Sequence, residues 1–189
     1  MKLYYATPSR AGHVRWLLEE LGVPYDLVRL DFEAEQQKLP EHLARHPLGK
    51  VPVLEDGDVT LFETGAICLY LADKYAEKGL APPIGHASRA PYLQWIFFAA
   101  AELEPPLVQF GKTPIDELKE AFLERARVLS EALAERAYLL GDDFSAADVM
   151  VGSTLGWARH FGLLEGFPRL IEYGRLVGAR PAARRARAD

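Results

Sequence analysis

The chain has 189 residues, 49% of them hydrophobic, enough to bury a core in one large or two small domains. A formal net charge of −5 argues against nucleic acid or an anionic membrane surface as a partner. A single cysteine, Cys68, excludes an internal disulfide framework and any Cys-x-x-Cys pair. Its place between Ile67 and Leu69 in a helical stretch predicts a buried, inert thiol. No apolar run reaches the roughly 18 residues of a membrane span, and the N-terminus lacks a signal-peptide pattern, so cytoplasmic residence is the expectation.

Residues 2–5 read as a short strand, followed by a loop through Ser9 and Gly12. Val14, Leu17, Leu18 and Leu21 recur at helical spacing, and Gly22 with Val23-Pro24 supplies the stop. Tyr25 to Phe32 alternates apolar and charged side chains, a second strand that completes a βαβ unit. A short helix over 40–45 and the turn His46-Pro47-Leu48-Gly49 lead into a hairpin centred on Glu55-Asp56-Gly57-Asp58. A helix from Thr64 to Lys78 follows, with Ile67, Leu71 and Tyr75 on one stripe. Residues 79–87, with Pro82, Pro83 and Gly85, have little periodicity and read as a linker.

Beyond the linker only helices are expected: 90–108, 115–140, one ending near Phe161, 169–177, and a short one opened by Pro181. Ser145 with Asp148 three residues on is a capping-box variant, with Phe144 placed as a hydrophobic staple. Trp95, Phe97, Phe98 and Phe110 read mainly as helix core, with a substrate-pocket wall as the alternative. Arg180, Arg184, Arg185 and Arg187 read as a solvated, basic helix end.

The stretch from Leu48 to Ile67 carries the chemistry. Pro52 stands where a loop enters the apolar run Val51, Val53, Leu54, and a proline, having no N–H to donate, is tolerated only at the edge or start of a strand. Val51-Pro52 is therefore a candidate cis bond that turns the Val51 N–H and C=O toward a strand-like ligand. Glu63 and Thr64 close the next strand and open a helix. A carboxylate there suits a ligand ammonium, while a hydroxyl beside free helix N–H groups suits a ligand carboxylate. Together they fit an amino acid group on an extended peptide. Taken singly, Pro52 is better explained by a trans strand start and Thr64 by simple capping.

Lys50-Val51-Pro52, the hairpin and Glu63-Thr64, in this order and spacing, resemble the glutathione-binding half of the thioredoxin-like domain of cytosolic glutathione transferases. Ser9-Arg10 followed by Val14-Arg15-Trp16-Leu17-Leu18-Glu19-Glu20-Leu21-Gly22 is similar to bacterial, serine-type, theta-like members. The helical second half and Phe144-Ser145-Ala146-Ala147-Asp148, which looks like the family's capping box, extend the resemblance over essentially the whole chain. It implies an α/β plus all-α fold: a thioredoxin-like βαβ-ββα domain over 1–78, a linker over 79–87, and an all-helical domain over 88–189 lining an electrophile pocket. It also implies a homodimeric detoxification enzyme that joins the glutathione thiolate to small apolar electrophiles, with glutathione as co-substrate. A glutathione-dependent isomerase or dehalogenase, or a non-enzymatic interaction module, is the alternative on the same fold. The double-serine-plus-cysteine loop of the maleylacetoacetate isomerase class is absent.

Under this resemblance Glu63 and Thr64 take the γ-glutamyl end, Val51 pairs through its backbone with the cysteinyl part, and Lys50 reaches the glycyl carboxylate. A cysteine thiol has a pKa of about 8.5, and lowering it by roughly two units takes about 2.7 kcal/mol. A hydrogen bond to a charged acceptor, about 1.5 to 3 kcal/mol, plus a helix N-terminus, about 0.3 to 1, suffices. Ser9, in the loop ahead of the first helix, is the first candidate for that hydrogen bond. Arg10 stands beside it, to assist the thiolate or meet a partner subunit. Tyr4 and Tyr5 are rival donors, of which strand alternation lets only one face the site. No cysteine precedes Cys68, which sets cysteine-type chemistry aside. His13, His42, His46, His86 and His160 lack metal-ligand spacing, and no metal is expected.

Overall fold

The computed structural model describes residues 1–188, which fold as two units: 1–78 with 181–188, and 79–180. In the first, β1 (Lys2–Tyr5), β2 (Asp26–Arg29), β3 (Val53–Asp56) and β4 (Val59–Phe62) form one sheet in the order β2-β1-β3-β4. β1 and β2 are parallel, bridged by α1 (Ala11–Leu21), whereas β3 runs antiparallel to both β1 and β4. This is the mixed sheet of a thioredoxin-like βαβ-ββα domain, as the sequence implies.

Hydrophobic spacing explains the core. Leu3 from β1, Val14, Leu17 and Leu18 from α1, Leu54 from β3, and Ile67 and Leu71 from α3 (Thr64–Lys74) are fully buried. Gly22 ends α1 at φ 66°, a left-handed position that costs glycine little, and its N–H returns to the Leu18 carbonyl at 3.0 Å. Strand β2 is shorter than its alternation suggests. After the Leu30 N–H bonds the Tyr5 carbonyl, the Asp31 carboxylate collects the N–H groups of Glu33 and Ala34 at 2.9 and 3.1 Å and turns the chain out of the sheet. The helix opened by Thr64 also stops early, with a 3₁₀ turn at Ala76–Lys78.

The second unit is helical: α4 (Arg89–Phe97), α5 (Glu104–Lys112), α6 (Asp116–Leu133), α7 (Ala146–His160) and α8 (Pro168–Gly178). Between α4 and α5, residues Phe98–Leu103 form a π-helical segment. Pro105 and Pro106 lack the N–H groups that would bond the carbonyls four residues back, so the ladder relaxes there. The helix expected over 115–140 ends instead at Leu133, where Ala134 takes φ 38°. Arg169 of α8 donates to the carbonyls of Ala134, at 2.6 Å, and Arg136, satisfying groups that a longer helix would have used itself.

Ser145 caps α7 as expected: the Asp148 carboxylate accepts both the Ser145 N–H and its hydroxyl at 2.9 Å. Residues 79–81 are less of a linker than their composition suggests. Leu80 and Ala81 are buried in the second unit, and the Leu80 carbonyl accepts the Ala146 N–H at 2.8 Å. The arginine-rich end also differs from a solvated helix terminus. α9 (Pro181–Arg185) packs on α1, Arg185 pairs with Glu19 at 2.6 Å, and the Arg187 guanidinium lies over the Trp16 ring.

Candidate active site

Strand register brings the three candidate segments to one end of the sheet. Tyr4 pairs with Val53 and Val53 with Phe62, so the carboxyl ends of β1 and β4 flank the amino end of β3. From those ends run Ser9-Arg10, Lys50-Val51-Pro52 and Glu63-Thr64. Neighbouring strands lie about 4.8 Å apart, so β1 to β4 across β3 spans roughly 10 Å, the length of an extended tripeptide.

Ser9 is partly exposed just ahead of α1. Its Oγ accepts the Ala11 N–H at 3.2 Å and its carbonyl the Gly12 N–H at 3.2 Å. The first-turn N–H groups are therefore largely taken by Ser9 itself, and the serine O–H becomes the proton available to an incoming anion. Arg10 occupies the position before the first residue of α1. The tyrosines are placed differently. Tyr4 is buried and donates to Glu55 Oε2 at 2.9 Å, with Arg45 over its ring and paired to Glu55 at 2.7 Å. Burial, and then the Glu55 bond, push the Tyr4 phenol above its ordinary pKa, while Arg45 holds the Glu55 carboxyl below its own. Tyr5 is also buried, beneath the Arg15 guanidinium.

The Val51-Pro52 bond is cis. Val51 precedes β3, and among the described residues no turn or loop hydrogen bond claims its N–H or C=O. Lys50 is exposed, and Gly49 before it has φ 58°; a Cβ there would come within 2.6 Å of the Gln37 carbonyl oxygen. Only glycine lets the loop approach so closely.

Glu63 is exposed and sits at φ 73°, ψ 114°, immediately before Thr64, the buried first residue of α3. A non-glycine residue there costs of the order of 1 to 3 kcal/mol, and such outliers cluster at ligand sites. Two buried histidines complete the neighbourhood. His42 of α2 (Pro40–Leu43) donates from Nε2 to the Lys50 carbonyl at 2.9 Å, and the His46 ring packs on Phe62 at 4.7 Å. Burial lowers the His46 pKa, against the opposing pull of Glu63. The place of these two histidines beside the Lys50 loop is not evident from composition. The usable signal is their spacing of four, with His42 on the short helix and His46 just past it, ahead of Gly49-Lys50.

The proposed aromatic wall separates into parts: Trp95 is buried edge-on to Phe98, Phe97 is 61% exposed, and Phe110 packs on Phe161. A groove in the helical unit between Glu135, Pro168, Arg169 and Leu176 contains none of the four. Cys68 is buried. Among the described residues no cluster of three or more His, Cys, Asp or Glu suits a metal ion, and no helix is long and apolar enough to cross a membrane.

Known proteins share this fold. The profile of the glutathione S-transferase N-terminal domain matches residues 1–73, and that of the C-terminal domain matches 112–174. The chain belongs to the glutathione S-transferase family. It is 32% identical to the probable glutathione S-transferase GSTF2 of Oryza sativa subsp. japonica, over 98% of this chain and 94% of that protein. Glutathione S-transferase 1 of Zea mays is 33% identical over 100% of this chain and 96% of its own. Among solved structures, BphK, a bacterial glutathione transferase seen in a ternary complex, superposes with a TM-score of 0.88 at 32% identity, covering 98% of this chain and 97% of that one. A sphingomonad glutathione S-transferase complexed with glutathione gives 0.87 at 31% identity, covering 98% and 96%.

Proposed function

We propose that this glutathione S-transferase holds glutathione across the end of its sheet and conjugates its thiolate to small apolar electrophiles. One observation carries the residue roles: the segments of Ser9, Val51 and Glu63-Thr64 adjoin the same end of three adjacent strands. Glu63 receives the γ-glutamyl ammonium, and the Thr64 hydroxyl with the α3 N-terminus receives its carboxylate. Val51 pairs through its backbone with the cysteinyl unit, Pro52 shapes that approach, and Lys50 extends toward the glycyl carboxylate. Ser9 donates its hydroxyl proton in a hydrogen bond to the sulfur, with Arg10 adding positive charge nearby. The sulfur lone pair then attacks the electrophilic carbon, the displaced group departs with its bonding electrons, and the thiol proton has already passed to solvent. Ser9 is favoured over Tyr4 because the Tyr4 proton is committed to Glu55.

The protein is further inferred to work in the cytosol as a homodimer. Family membership supports this, as do Leu48 and Phe62, large apolar side chains left 60% and 39% exposed on the first unit.

Calorimetry with glutathione and a thiol-conjugation assay on wild type and Ser9→Ala test the reading. Wild type is expected to bind glutathione. Ser9→Ala is expected to bind it comparably at low pH but to lose roughly ten- to a hundredfold in kcat/KM near neutrality, the loss of one charge-assisted hydrogen bond. Absence of glutathione binding sinks the proposal, and full activity in Ser9→Ala moves the thiolate contact to another donor.

A further inference from the structure

We infer that His42 is a positioning residue for glutathione, acting through the Lys50-Val51 peptide. The inference rests on the glutathione reading of the site and adds to it a residue that never touches the ligand. His42 is 2% exposed, and its Nε2 lies 2.9 Å from the Lys50 carbonyl oxygen. A carbonyl only accepts, so Nε2 is the donor and carries a proton. The ring is braced by packing: Tyr4 lies 5.9 Å away, and Arg45 bridges the Tyr4 ring to the Glu55 carboxylate. Its Nδ1 is buried and makes no hydrogen bond, so the Lys50 carbonyl is the polar contact of the imidazole among the described residues.

The consequence follows from peptide geometry. The Lys50 C=O and the Val51 N–H belong to one planar unit, and that bond is trans. In a trans peptide the two groups point in opposite directions. Pinning the carbonyl on a buried imidazole therefore aims the Val51 N–H away from the interior, toward where a strand-like ligand lies. Without the pin, the peptide plane can rotate, and the ligand must bear the cost of ordering it. Gly49 supports the same end from the other side, since only its missing side chain lets the loop sit against the Gln37 carbonyl.

The test compares His42→Phe, which keeps a ring and removes the donor, with His42→Gln, whose amide can donate to the same carbonyl. His42→Leu is a second donor-free variant should the first fail to fold. His42→Phe is expected to raise the glutathione Kd and KM by roughly five- to tenfold, the scale of one neutral hydrogen bond. Its kcat at saturating glutathione and its KM for the electrophile stay within about twofold, because the chemistry is untouched. His42→Gln recovers most of the affinity. In the ligand-free protein, the ¹⁵N resonance of Val51 moves in His42→Phe and returns toward wild type in His42→Gln. Unchanged glutathione affinity in the donor-free variants overturns the inference alone, as does equal loss in Phe and Gln variants in step with melting temperature. Failure of wild type to bind glutathione removes the functional reading and this inference with it.

Discussion

At Glu63, conformation and the proposed function pull in opposite directions. Its φ of 73° is one that side chains other than glycine, asparagine and aspartate rarely adopt, yet the position offers a carboxylate beside a helix N-terminus. Glu63→Gly should therefore keep or raise the melting temperature, because relief of about 1 to 3 kcal/mol of strain offsets the roughly 0.5 to 1 kcal/mol entropy penalty of glycine. The same change should weaken glutathione binding at least tenfold, since an ionic hydrogen bond contributes roughly 1.5 to 3 kcal/mol. Thermal unfolding and calorimetry on one variant read both signs. A fall in stability without a loss of affinity would show that Glu63 serves the fold and not the ligand. Of the proposed site, Ser9, Val51-Pro52 and Glu63-Thr64 are candidates the sequence already offers, because each combines a residue type with a place at a strand or helix end. His42 is not, because the role proposed for it depends on one hydrogen bond to a backbone carbonyl eight residues away.

Among the elements, α7 depends most on a single side chain. The Asp148 carboxylate is fully buried and accepts four donors: the N–H groups of Leu139 and Ser145, the Ser145 hydroxyl, and the Tyr173 hydroxyl at 2.8 Å. Burial raises its pKa, and those donors work against the rise. Asp148→Ala strands the donors inside the helical unit, at about 1 to 3 kcal/mol for each one left unsatisfied. Loss of at least about 3 kcal/mol is the expected result in denaturant unfolding, and a loss below about 1 kcal/mol would show that water or a rearrangement replaces the carboxylate. The capping pair was visible from its spacing of three, whereas the Leu139 and Tyr173 contacts join segments 9 and 25 residues from Asp148 and needed the fold. Element lengths show the same division. Periodicity located α6, but its end at Leu133 is set by Arg169 reaching the carbonyls of Ala134 and Arg136 from another helix.

For the whole molecule, the proposed homodimer puts Leu48 to the test. Leu48 donates its N–H to His46 Nδ1 at 3.3 Å, and the Phe62 ring packs on the same imidazole, so the two residues with exposed apolar side chains meet at His46. A charge there is costly to bury. Leu48→Glu should shift the protein from dimer to monomer in sedimentation velocity while leaving its far-UV circular dichroism unchanged. A monomeric wild type, or a dimer that tolerates the glutamate, overturns this assignment.

The sequence by itself determined the two-part architecture, the order of the strands along the chain and the residues proposed to meet glutathione. Those features follow from hydrophobic period, turn chemistry and capping, all of which act within a few residues. Tertiary structure alone decided that α9 returns to the first unit, that Tyr4 is committed to Glu55, and that His42 meets the Lys50 carbonyl. Each is a contact between groups distant along the chain, and one-dimensional spacing carries no record of which partner a buried donor will find.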